Sequence, residues 1–120
     1  VKLLEITVER AKEAYRKTGL RPGSRRRDPL YGECCIVGAL MVEAGRPYLG
    51  ASKEPPGPDV AFATLGLEGE DQTQLYEYES GFDHGLESGP CYAGLIRKVS
   101  FTHYFKAGVE IGAALKGWTP

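Results

Sequence analysis

Apolar positions recur at helical spacing along most of the chain. In residues 3–17, Leu4, Val8, Ala11 and Tyr15 form one stripe. The acid-before-base pairs Glu9–Lys12, Glu13–Arg16 and Glu13–Lys17 lie among the polar positions, and Gly19 supplies a stop. The pattern predicts an amphipathic surface helix. Residues 33–44 read differently: Cys34, Cys35, Ile36, Val37, Ala39, Leu40, Met41, Val42 and Ala44 leave no polar face. A helix apolar all round is buried on all sides, so this segment is expected to be the central helix, with Glu33 in its first turn and Gly45 as its stop. A buried strand is the alternative, since short apolar runs suit both; Ala39, Leu40, Met41 and Ala44 favour helix.

Three further helices are expected. A short one covers residues 60–65, capped by Asp59 and stopped by Gly66. A longer one covers residues 70–85, with Glu70 and Asp71 at its N-terminus and Leu75, Tyr78, Phe82 and Leu86 as its stripe. The last covers residues 101–116, capped by Ser100, with Phe101, Phe105, Gly108, Ile111, Gly112 and Leu115 on one face. Between them, Cys91 to Val99 fits a short strand, a helical turn or an ordered loop. Two Pro- and Gly-rich stretches, residues 20–32 and 45–58, read as long loops. Nothing marks a domain boundary, so residues 1–120 read as a single helical domain. The fold class is all-α, about five helices around a buried central one; the alternative is α+β with a minor strand pair.

Composition narrows the class. The chain of 120 residues is 42% apolar and 26% charged, with a formal net charge of −1. Those values fit an ordinary globular protein and argue against a dedicated nucleic-acid binder. No stretch approaches the ~20 apolar residues that a membrane span needs. The N-terminal residues turn charged too early for a signal peptide, and three cysteines are an odd, low count. A cytoplasmic setting is the expectation. The chain has no asparagine and is rich in charge, and prolines occupy its loops, which leans towards a thermophilic source.

Glycines break the helical patterns in a regular way. Tyr78-x-x-Gly81-Phe82-x-x-Gly85 and Phe105-x-x-Gly108-x-x-x-Gly112 each place two glycines four apart, hence on one helix face. Each costs a helix ~1 kcal/mol relative to alanine. Close approach of another backbone is the structural reason, and a groove for a ligand or a partner's helix is the functional one. Gly81, Gly85, Gly108 and Gly112 are therefore expected helix-contact residues. Taken with Cys35-Ile36-Val37-Gly38-Ala39-Leu40 and the Gly-Phe-Asp-x-Gly helix, this pattern resembles uncharacterised small all-helical proteins of bacteria and their phages. The resemblance implies a helical fold and no activity.

Few residues offer chemistry. A cysteine opening a helix can become a nucleophile, so Cys34 and Cys35, with His84 or His103 as base, are the catalytic candidates. Against them, cysteine is among the most buried residue types, and these two sit in an apolar run. A bridge from either to Cys91 is the other possibility. Asp83, His84 and His103, with Glu79, Glu87 or Glu110, lack any standard metal-ligand spacing, so no metal and no cofactor is implied. Arg25, Arg26 and Arg27 form the basic cluster through which nucleic acid could be held. Tyr76 and Tyr78 interleave with Glu77 and Glu79 as an acidic-aromatic strip. The favoured expectation is a non-enzymatic binding or regulatory protein that meets a protein partner or self-associates. A small thiol-dependent enzyme using Cys34 or Cys35 and a weak nucleic-acid adaptor using the arginine loop are the alternatives.

Overall fold

The computed structural model describes residues 2–23, 32–45, 65–66, 72–88 and 103–120. These form four α-helices and a two-stranded parallel ladder, so the chain is mostly helical with a minor strand pair. The helix expected over residues 60–65 lies outside the described residues except for Leu65, which is buried.

The first stretch is not one helix. A 3-10 turn, Leu3–Glu5, is followed by α1, Val8–Thr18. Thr7 intervenes with extended backbone, and its side chain accepts from the Arg10 N–H, which restarts the helix and shifts its phase. Leu3 is therefore buried, whereas Leu4, placed by the periodicity on the apolar stripe, is 50% exposed. Glu9–Lys12 and Glu13–Arg16 form ion pairs along α1. The helix ends at Gly19, whose φ of 69° suits the left-handed cap.

The chain then forms β1, Arg21–Pro22, paired in parallel with β2, Glu33–Cys34. Arg21 N–H donates to Gly32 O and Gly23 N–H to Cys34 O. Pro22 falls between these two donors, where the ladder requires none of it, and is tolerated for that reason. The expectation that Glu33 and Cys34 begin the central helix is corrected: they are strand, and Cys35 is the cap of α2, Ile36–Glu43. Nor is α2 buried on all sides. Ile36, Ala39, Leu40 and Met41 point inward, while Val37, Gly38, Val42 and Glu43 are half-buried. An Arg10–Glu43 ion pair of 3.0 Å ties its end to α1.

The remaining helices are α3, Gln72–Ser88, and α4, His103–Leu115. Helix α3 continues past Gly85, the residue at which the sequence pattern ends it. Their contact is the most extensive helix pairing among the described elements. All four notch glycines lie in it. A Cβ on Gly81 would run into the Phe105 carbonyl, and one on Gly85 into the Val109 carbonyl. From the other side, Gly108 meets the Tyr78 carbonyl and Gly112 the Phe82 carbonyl. Four residues along one helix correspond to four residues along the other in the same direction, so α3 and α4 run parallel. A glycine Cα–H facing a carbonyl at such close range is the geometry of the weak Cα–H···O contact.

The core gathers where these elements meet: Tyr15, Cys34, Ile36, Leu40, Tyr78, Phe82, Val109 and Leu115 are all fully buried. The rings of Tyr15 and Phe82 stack with centroids 6.2 Å apart. After α4 the chain turns back, and Trp118 receives Lys12 Nζ and the Arg16 guanidinium, each 5.7 Å from its ring centre. No helix among the described residues is long and apolar enough to cross a membrane.

Candidate functional site

Two places concentrate polar chemistry. The first is buried. Tyr15 on α1 reaches the strand ladder, and its hydroxyl donates to Cys34 O at 2.8 Å. Cys35 Sγ accepts from the Gly38 N–H at the start of α2, and Cys34 Sγ lies 3.3 Å from Cys35 O. Tyr78 and Asp83 on α3 complete the group. Tyr78 Oη and Asp83 Oδ1 are both out of contact with water and have no hydrogen-bond partner among the described residues.

Burial governs the proton affinities here. It raises the Tyr15 hydroxyl well above the ordinary tyrosine value, and the nearby Cys34, Cys35, Asp83 and Tyr78 groups act in the same direction. Burial likewise raises Tyr78. The Asp83 carboxyl is pushed up to about 7, first by burial and then by Glu79 and Glu87 on the same helix. At mildly acidic pH Asp83 therefore keeps its proton, and the two tyrosines stay neutral well beyond neutrality. Below about pH 7 the group is a set of neutral donors and acceptors.

The second place is on the surface. A depression of about 490 Å³ is lined by Thr73, Tyr76, Glu77, Ser80, His84 and Glu87 of α3 and by Phe105 of α4. Tyr76 is 46% exposed, one of two large apolar side chains so exposed among the described residues. The His84 ring tilts over Phe105 with centroids 6.3 Å apart. A smaller hollow of about 390 Å³ lies where the strand ladder meets the C-terminal turn, between Arg21, Glu33, Leu86 and Trp118.

The catalytic candidates are distributed between these places. Cys34 and Cys35 are buried, at 0% and 3% exposure, against Tyr15. His84 belongs to the outer depression, and His103 is exposed at the start of α4. Arg25, Arg26, Arg27 and Cys91 lie outside the described residues. Among the described residues no group of three or more His, Cys, Asp or Glu side chains is arranged to hold a metal ion. Sequence reading did not pick out the buried polar group. Its signal was present in part: Tyr15 and Tyr78 stand on apolar stripes, and a tyrosine buried there brings a hydroxyl that needs accommodation.

No family model, no curated protein and no solved structure matches the chain.

Proposed function

We propose that the chain is a non-enzymatic binding protein that acts by contact with another protein, through the outward face of α3. The depression bordered by Tyr76, Ser80, His84 and Phe105 carries this reading. Tyr76 puts an exposed aromatic ring there, a residue type enriched in protein contact surfaces, with polar groups around it as at the rim of such surfaces. The volume of the depression suits a few side chains of a partner. The thiol-enzyme alternative gains nothing from two cysteines withdrawn from solvent. The nucleic-acid alternative rests on arginines outside the described residues.

A photo-crosslinking residue in place of Tyr76, and separately in place of Glu13 on α1, tests the reading in cells of the native host. Covalent adducts with another protein are expected from position 76 and not from position 13. Equal labelling at both positions, or none at 76, overturns it.

A further inference from the structure

We propose that the Asp83 carboxyl is a proton-operated catch on the joint between α1 and α3, closed while it carries its proton and released when it loses it. The joint is built around Tyr15. Its ring leaves α1 to stack on Phe82 of α3, and its hydroxyl fastens the same side chain to the strand ladder at Cys34 O. Asp83 follows Phe82 in the chain and lies close enough to Tyr15 to oppose ionisation of that hydroxyl.

The surroundings suit a neutral carboxyl and not a carboxylate. Asp83 Oδ1 is shut off from water and has no hydrogen-bond partner among the described residues. The Tyr15 hydroxyl has one proton to give, and Cys34 O takes it. Tyr78, five positions back and about 140° around the helix, makes no bond to Asp83. The groups around Asp83 are Tyr15 of α1, with Cys34 and Cys35 beside it, and Glu79 and Glu87 of its own helix; none of these is a cation. Farther out, Arg21 and Glu33 of the ladder share a hollow with Glu87 and are paired with each other. Burial, then Glu79 and Glu87 one turn to either side, push the carboxyl up to about 7.

Loss of the proton leaves a charge that needs water or a donor. Asp83 can turn outward, a short path for a half-buried residue, or draw the Tyr15 proton away from Cys34 O. The first move withdraws the side chain from beside Tyr15, and the second breaks the bond to the ladder. The catch is fully set below the ordinary carboxylate value of 3.8 and is lost as pH rises through about 7.

The test follows amide hydrogen exchange in the whole chain, labelled with nitrogen-15, between about pH 5 and 8, with intrinsic exchange rates divided out. In the wild type, the opening constant at Gly23 and around Tyr15 is expected to rise by up to about ten-fold per pH unit as far as about pH 7, then level off. Asp83→Asn should hold it constant. Val109 and Gly112, in the seam between α3 and α4, should keep their protection in both proteins. Equal pH dependence in the two proteins, or a loss spread evenly over the seam as well, overturns the proposal. So does an Asp83 carboxyl carbon-13 signal that titrates at the ordinary value, a measurement that needs no variant.

Discussion

The Tyr15 hydroxyl and the Gly23 N–H share one acceptor, the carbonyl oxygen of Cys34, at 2.8 and 3.0 Å. One side chain thereby fastens α1 to the strand ladder, and the acceptor uses both of its lone pairs. Tyr15→Phe removes one donor but leaves Cys34 O paired with Gly23. The expected loss is about 1 kcal/mol, the net worth of a hydrogen bond whose acceptor is not orphaned. Tyr15→Ala also empties the space against Phe82 and should cost about 3–5 kcal/mol. Urea unfolding of the two variants separates the bond from the packing; equal losses would mean that the hydroxyl contributes most of the effect.

Gly81→Ala and Gly108→Ala should each destabilise the protein. Helix propensity favours alanine by about 1 kcal/mol. Against this, the new methyl group at Gly81 meets the Phe105 carbonyl, and at Gly108 the Tyr78 carbonyl. Backbone yields less readily than the end of a side chain, and overpacking typically costs about 1–3 kcal/mol. The steric cost is the larger, and the double variant should fall further than either single one. Thermal melts that rise would contradict the close seam between α3 and α4.

Stability should decline as pH rises from about 4 to about 7. In that window the folded Asp83 carboxyl, pushed up to about 7, holds a proton that the unfolded chain, near the ordinary 3.8, has released. The folded state then binds more protons, so each step up in pH favours unfolding. Asp83's contribution is fully present below the ordinary carboxylate value and gone above its folded value. Asp83→Asn should flatten this part of the curve and be the more stable protein at about pH 8. Denaturant midpoints across the range check it; parallel curves for the two proteins would remove Asp83 as the cause.

Cys34 and Cys35 should react slowly with thiol reagents in the folded protein. They are 0% and 3% exposed, and a reagent needs the sulfur at the surface. A Cys91→Ser background isolates the pair. Denaturant should release both thiols at once. Fast reaction of one of them at neutral pH without denaturant would bring the nucleophile reading back.

Local signals and non-local ones fared differently. Helix α1 was legible over most of its length because acid-base pairs lie within it and Gly19 follows it directly. Its start was not, since Leu3 and Leu4 differ by one position and only the Thr7 cap decides which is buried. The parallel pairing of Arg21–Pro22 with Glu33–Cys34 leaves almost no local trace: two residues make no period, and Pro22 reads as a breaker. Gly85 resembles a helix stop until the Val109 carbonyl is known to lie against it. At the candidate site, Tyr76 and Glu77 stood out as an acidic-aromatic strip, whereas Phe105 reaches the same depression from another helix, a proximity that spacing along the chain does not encode.

Neither α3 nor α4 carries any mark of which molecule it belongs to. The notch at Gly81 and Gly85 accepts any helix that presents Phe105, Gly108, Val109 and Gly112 in the same order, including the last helix of a second copy. Belonging to one chain holds α4 beside α3 at an effective concentration that a separate molecule would have to exceed to take its place.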